Sequence, residues 1–123
     1  MKPNRVEVPA DQGHFQGEIY VGPVERLPQD GLCETARVNG ALVVGHSESG
    51  HHHVVWDRDV RLLETKDPFV CYLVAEGAYA DLVHEREYDT HATLALAFGE
   101  AGTGRKVIRQ REMSPTGWVR AQD

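Results

Sequence analysis

Short apolar stretches, each followed by turn-forming residues, recur along this chain and limit it to a fold built mainly from strands. The clearest example is Asn39-Gly40, which separates two such stretches. Asn-Gly between two apolar stretches is the strongest short signal for a β-hairpin, because both turn residues must adopt a positive φ. A two-residue turn at this point pairs Val38 with Ala41. Continued pairing along the same hairpin would place Cys33 opposite His46.

Several further segments have the composition and spacing of strands, and together they indicate an all-β fold. The first of them alternates, with Phe15, Ile19 and Val21 on one face, as in a half-buried strand. Residues 69–74 are apolar on both faces, which is typical of a central strand. Residues 92–98 also suit a short helix, but no capping box precedes them, and we favour a strand. The candidate strands are residues 15–21, 34–38, 41–46, 69–74, 92–98 and 105–112.

The composition is that of one globular domain, because 41% of the 123 residues are hydrophobic and 26% are charged. We place this single β domain at residues 1–123, with a short polar N-terminal segment at 1–13 and a short tail at 118–123. The net charge of −6 and the aromatic content of 7% argue against general nucleic-acid binding and against an anionic membrane surface as partner. Residues 1–12 lack the apolar segment of a signal peptide, and the longest apolar run, residues 69–75, is too short to span a membrane. We therefore expect a cytoplasmic or virion location.

Histidine is the unusual residue of this chain, with seven copies, four of which fall within nine residues. A four-residue loop after His46 would pair His46 with His51 and Val44 with His53. Because side chains alternate along a strand, His51 and His53 then share a face and His52 points away. The sequence therefore predicts that His46, His51 and His53 converge on one side of a sheet.

Two further histidines, His84 and His91, are close enough in sequence to flank a short loop, and a compact β domain can bring them near the first group. Neutral imidazole is a common ligand of Zn, Fe, Ni and Cu, and three histidines leave a coordination position open for water or substrate. Zinc is the first choice here, with Fe, Ni, Cu or Mn as alternatives. The predicted divalent-metal ligands are His46, His51, His53, His84 and His91.

The sequence leaves open whether this site is catalytic. A carboxylate such as Glu48, Glu85 or Glu87 could act as general base beside a metal-bound water, which would make the chain a metalloenzyme of unknown reaction. Without a metal, the same histidines would form a pH-sensitive or purely structural cluster. Cys33 is either a fourth ligand or a small buried residue, and we favour the second because cysteine outside disulfides is usually buried.

The first histidine group resembles the first motif of the cupin family, in which a glycine and a spacer precede His-x-His and a carboxylate follows. Here Gly45 precedes His51 and His53 at the family's spacing, and Asp57 stands where the family has Glu. Glu64 stands where the family motif has Gly. The resemblance implies a small β-barrel with His51 and His53 on a metal ion and Asp57 as a candidate third ligand. The fold prediction is therefore a single-domain β-sandwich or cupin-like barrel of about eight strands, with little helix.

A longer pattern, spanning residues 45–114, is similar to one that recurs in small, uncharacterised bacterial and phage proteins. It consists of Gly45-His46, residues 51–53, Val83-His84-Glu85, His91 and residues 109–112. This resemblance implies no activity, but it groups His46, His84 and His91 with the triple-histidine run and indicates a phage-related setting. The alternative to a metal protein is therefore a non-enzymatic structural or interaction module, such as a capsid, tail or accessory protein of a virion. Its partners would be further copies of the chain or phage assembly proteins.

Basic residues are concentrated near the C-terminal end of this acidic chain, at Arg105, Lys106, Arg109 and Arg111. On a strand, Arg105, Arg109 and Arg111 would share one face. That face either contacts an anion such as phosphate, docks an acidic partner, or is a solvated surface that offsets nearby carboxylates. We favour the solvated surface.

Overall fold

The computed structural model describes residues 5–24, 26–45, 52–84, 92–99 and 104–109, together with the backbone of residues 111–114 and 117–120. These residues form strands and turns and contain no helix, so none of them belongs to a helix able to cross a membrane. The strands are β1 (Arg5–Val8), β2 (His14–Gln16), β3 (Ile19–Pro23), β4 (Cys33–Glu34), β5 (Leu42–Gly45), β6 (His53–Val55), β7 (Val60–Glu64), β8 (Val70–Ala75), β9 (Tyr79–His84), β10 (Thr93–Ala97), β11 (Gly104–Arg109), β12 (Arg111–Ser114) and β13 (Gly117–Arg120).

Eleven of these strands form two sheets, which confirms the predicted all-β sandwich. Sheet A has five strands in the order β1-β10-β9-β6-β5, and sheet B has six in the order β2-β3-β11-β8-β7-β4. Strand β1 runs parallel to β10, and the other neighbours are antiparallel. Strands β12 and β13 pair with each other. The predicted central strand at residues 69–74 corresponds to β8, between β11 and β7, and the strand favoured at residues 92–98 corresponds to β10.

The core lies between the two sheets and follows from the alternation of apolar residues along the strands. Every second residue of a strand points inward, and in both sheets most of these positions are aliphatic and completely or almost completely buried. Sheet A contributes Leu42, Val44, Val55, Leu82, Leu94 and Leu96, and sheet B contributes Ile19, Val21, Leu62, Leu73 and Val107.

The Asn39-Gly40 turn is confirmed, but the extended hairpin predicted around it is wrong. Both turn residues have a positive φ, 51° and 88°, and Val38 and Ala41 exchange two backbone hydrogen bonds. Beyond this bridge the two sides separate, because β4 pairs with β7 in sheet B whereas β5 belongs to sheet A. Cys33 therefore lies opposite Glu64 rather than His46, and it is exposed rather than buried.

Two register predictions are also corrected by local backbone irregularities. Residues 15–21 do not form one strand, because a turn at Gly17-Glu18 divides them into β2 and β3, with Gln16 opposite Ile19. In the next hairpin, β5 and β6 change register between Val43 and Gly45. His53 therefore lies opposite Gly45 instead of Val44. Bulges of this kind insert one extra residue into one strand.

The favoured interpretation of the basic residues as a solvated surface is wrong for two of them, because Arg105 and Arg109 lie inside the sandwich. Arg105 is 0% exposed, and its guanidinium donates to the backbone carbonyls of residues 8, 9, 12 and 97. Arg109 forms a two-pronged ion pair with Glu64, at 2.9 Å for each contact. It also donates to the Val44 carbonyl of the opposite sheet. Lys106 is partly exposed, and the side chain of Arg111 lies outside the described residues.

Candidate functional site: a buried histidine pair between the sheets

Two of the predicted histidines, His53 and His84, lie side by side in the interior of the sandwich. Strand β6 pairs with β9 so that His53 is directly opposite His84. Both side chains point between the sheets, and they are 0% and 1% exposed. Their rings are stacked, with centroids 4.2 Å apart and planes within 5° of parallel.

Gly45 completes this part of the site from the other side of β6. A Cβ atom at Gly45 would lie 2.3 Å from Cδ1 of Ile19 and 3.0 Å from Cδ2 of His53. The first distance is shorter than real Cβ contacts and the second is tight, so a side chain at this position would displace the end of Ile19 and press on the His53 ring. The glycine therefore allows the imidazole to approach the strand closely.

Sheet B contributes two polar side chains through the turn between β2 and β3. Gln16 is the last residue of β2, and Glu18 is the second residue of the turn. Gly17 has a φ of 58°, which suits the first central position of a tight II′ hairpin turn. This turn places both polar side chains beside His53 even though the hairpin belongs to the other sheet.

Both ring nitrogens of His53 are hydrogen-bonded. Nδ1 lies 2.8 Å from Oε1 of Gln16, and Nε2 lies 3.0 Å from Oε1 of Glu18. The amide of Gln16 has a defined orientation, because its Nε2 donates at 2.8 Å to the carbonyls of Leu82 and Ala92. Its oxygen is therefore the group that faces His53 and accepts the hydrogen of Nδ1.

The carboxylate of Glu18 is held in its charged form. Burial alone would raise the pKa of Glu18, but the hydrogen bond from His53, the backbone hydrogen bond and the attraction of His53 and His84 together lower it. An ionised carboxylate accepts hydrogen bonds and donates none. The charged carboxylate is therefore an acceptor on the Nε2 side of the His53 ring, as the oxygen of Gln16 is on the Nδ1 side.

The stacked arrangement limits what the two histidines can do together. A ligating imidazole binds a metal ion close to its own ring plane, at about 2.1 Å for zinc. Because the planes of His53 and His84 are parallel and their centroids are 4.2 Å apart, one ion cannot lie in both planes. Among the residues that the structure describes, no three His, Cys, Asp or Glu side chains are grouped so as to hold a metal ion.

Three of the predicted ligands, His46, His51 and His91, lie outside the described residues, as do Glu48, Glu85 and Glu87. The strands that precede and follow them are described, however. Residues 46–52 connect β5 to β6, and residues 85–92 connect β9 to β10. Because His53 is opposite both Gly45 and His84, these two connections start at the same end of sheet A, next to the histidine pair.

The remaining sequence candidates lie away from this pair. His52 precedes β6 and is partly exposed, as expected for a neighbour of the inward-facing His53. Asp57 accepts a hydrogen bond from the backbone of Asp81, and Cys33 lies at the edge of sheet B. Gln16 and Glu18 were missed by the sequence analysis. Gly17, which lies between them, was the available signal. A turn at this glycine would place both polar side chains at the same end of a hairpin.

The fold and the site together define a β-sandwich protein with a stacked histidine pair buried between its sheets. The chain belongs to the family described as a domain of unknown function, DUF8820, whose model matches residues 15–106. This range includes Gln16, Glu18, His53 and His84. No curated protein and no solved structure matches the chain.

Proposed function

We propose that this protein binds a divalent transition-metal ion, zinc being the first choice, through Nε2 of His53 and the carboxylate of Glu18. The observation that carries the proposal is the hydrogen bonding on both sides of His53. Metal-ligating histidines usually donate their other ring N–H to an oxygen acceptor, which orients the ring. The contact from Nδ1 of His53 to Gln16 has this form.

The spacing of the two donor atoms suits a shared ion. Nε2 of His53 and Oε1 of Glu18 are 3.0 Å apart. A tetrahedral ion with bonds of about 2.1 Å to each would hold them about 3.4 Å apart. An opening of a few tenths of an ångström would therefore let the ion replace the hydrogen that the two groups share. Nitrogen and carboxylate oxygen are both ordinary zinc ligands.

The remaining ligands are assigned to the histidines of the two neighbouring connections, His46, His51 and His91. This assignment is supported by the described ends of those connections, which meet at the His53–His84 pair. His84 is assigned a packing role, because its ring is stacked on His53 instead of sharing a plane with it.

A second candidate function is a non-enzymatic structural or interaction module, in a phage virion or elsewhere. One observation favours it: the acceptors Gln16 and Glu18 already satisfy both nitrogens of His53. In that case the hydrogen-bonded Gln16–His53–Glu18 chain would be a structural element of the core, and the protein would need no metal ion.

Zinc titration calorimetry on the untagged protein separates the two candidates. We expect binding at pH 7.5 that weakens strongly at pH 5, because imidazoles must lose a proton to coordinate. His53→Ala and Glu18→Gln should each weaken binding by about 10–100-fold or more. His51→Ala should do the same, whereas His52→Ala should have little effect.

His14→Ala is the matched control, since His14 is an exposed histidine on β2. It should bind zinc like the wild type. No binding at pH 7.5, or equal affinity at both pH values, would contradict the metal proposal and favour the structural module.

A further inference from the structure

We infer that Gln16 is the positioning residue of the proposed metal site, where it selects Nε2 of His53 as the coordinating nitrogen. The inference rests on the proposed function. It adds the residue that determines which ring nitrogen of His53 is available to the metal ion. Gln16 is 1% exposed, and among the described residues its side chain hydrogen-bonds to His53 and to two backbone carbonyls.

The selection follows from the hydrogen bonds of the amide. Nε2 of Gln16 donates to two carbonyls at 2.8 Å, and turning the amide over would place its oxygen against both of them. The orientation observed therefore leaves only an acceptor for Nδ1 of His53. With Nδ1 protonated and engaged, the lone pair that a metal ion requires can be only on Nε2, which faces Glu18.

Gln16 also connects His53 to the second histidine-bearing connection. The carbonyl of Leu82 belongs to β9, two residues before His84, and the carbonyl of Ala92 directly follows His91 in the chain. Through these hydrogen bonds, the Gln16 side chain connects the ring of His53 to the residues on either side of 83–91, Leu82 and Ala92.

Three variants separate this role from simple packing. Gln16→Leu removes both the acceptor and the donor, and we expect zinc to bind about 10–100-fold more weakly than to the wild type. Gln16→Glu keeps an oxygen acceptor for Nδ1 of His53 but places its second oxygen against the carbonyls of Leu82 and Ala92, so we expect a less stable protein whose folded form still binds zinc through Nε2 of His53. Gln29→Leu makes the same exchange at an exposed position and should leave the affinity unchanged.

The deciding readout is the tautomer of His53 in the zinc-loaded protein, measured from ¹⁵N shifts and long-range ¹H–¹⁵N couplings of the ring. We expect a protonated Nδ1 and a metal-bound Nε2 in the wild type and in Gln16→Glu, and loss of this single tautomer in Gln16→Leu. The wild-type spectrum is decisive even where a variant fails to fold.

The outcomes distinguish this inference from the proposal beneath it. Coordination of zinc through Nδ1 of His53, or wild-type affinity in a folded Gln16→Leu, would overturn the positioning role and leave the metal site intact. Absence of zinc binding by the wild type would overturn the proposed function and, with it, the role of Gln16.

Discussion

Glu18 and His53 show how a residue's surroundings, more than its type, decide its chemical state. Nineteen carboxylate residues occur in this chain, and nothing in the sequence distinguishes Glu18 from the others. In the fold, its side chain is only 13% exposed and faces a histidine that is 0% exposed. Loss of water is the largest single influence and opposes the charge on Glu18, but the hydrogen bond from His53, a backbone hydrogen bond and the attraction of His53 and His84 together outweigh it, so the pKa of this carboxyl falls.

This lowered pKa predicts a specific loss of stability in acid. Because the folded-state pKa of Glu18 lies below its unfolded value of about 4.3, the stabilisation is complete above that pH and is lost as the pH falls through the folded value. Glu18→Gln should reduce the free energy of unfolding by about 1–3 kcal/mol at pH 7. The difference from the wild type should shrink as the pH falls below the unfolded value of about 4.3.

Urea unfolding at pH 7 and pH 3, with a chelator present, measures this difference. Glu34→Gln serves as control, because Glu34 forms an exposed ion pair with Arg61 and should change stability by less than about 1 kcal/mol. A deficit for Glu18→Gln that is equally large at both pH values would show that the charge of Glu18 is not its cause.

At the scale of elements, the β2–β3 turn is the feature that makes the site possible. Gly17, at a φ of 58°, reverses the chain within two residues. The reversal brings Gln16 and Glu18, the two polar contacts of His53 among the described residues, to the same imidazole ring. An uninterrupted strand over residues 15–21 would carry Gln16 and Glu18 on one face, but about 7 Å apart along the strand. The turn instead places them on opposite sides of one imidazole.

Gly17→Ala should therefore affect both stability and metal binding. A side chain at positive φ costs about 1 kcal/mol of folding free energy. The turn would also shift Gln16 and Glu18 relative to His53, and we expect zinc to bind more weakly. Thermal unfolding and zinc calorimetry measure the two effects.

Gly31→Ala is the matched control for this change. Gly31 has a φ of 79° and open space around it, so the substitution carries a similar backbone cost away from the histidine pair. It should lower the stability by a similar amount and leave the zinc affinity unchanged. If Gly17→Ala bound zinc as tightly as the wild type, the geometry of this turn would not be required for the metal site.

The elements also show why the sequence predicted the class of fold but not the pairing. Period-two alternation and the Asn39-Gly40 turn depend on nearby residues, and both predictions are confirmed. Strand registers depend on single irregularities. Because of the bulge beside Val44, the residue opposite His53 is Gly45 and not Val44. Because the chain changes sheets after β4, the residue opposite Cys33 is Glu64 and not His46. The partners of His53 come from 35 and 37 residues away, on the other sheet, where no local pattern could indicate them.

For the whole molecule, the two buried arginines act as connections inside the core. Arg109 joins the sheets through Glu64 and the Val44 carbonyl, and Arg105 holds the crossing from β1 to β2 through three of its four carbonyls. The sequence placed both on a surface because arginine is rarely buried without a partner. Their partners are mostly backbone carbonyls, which composition cannot reveal.

Arg105→Met should destabilise the protein by about 3 kcal/mol or more, because it leaves several buried carbonyls without their donor. Arg61→Met, at a side chain that is 56% exposed, should cost less than about 1 kcal/mol. Urea unfolding followed by far-UV circular dichroism measures both changes. A loss at Arg105 no larger than that at Arg61 would mean that these carbonyls find other donors.

The parallel pairing of β1 with β10 affects how this chain is made. Arg5 pairs with Thr93, 88 residues later, and Arg105 lies 97 residues from Val8. At about 5–20 residues per second, a ribosome takes roughly 4–18 s to synthesise the chain between Arg5 and Thr93. During that interval β1 is already part of the chain, but β10, its pairing partner in the finished fold, has not yet been made. The unpaired backbone groups of β1 can therefore hydrogen-bond to another growing chain, and we expect such intermolecular strand pairing mainly before synthesis ends.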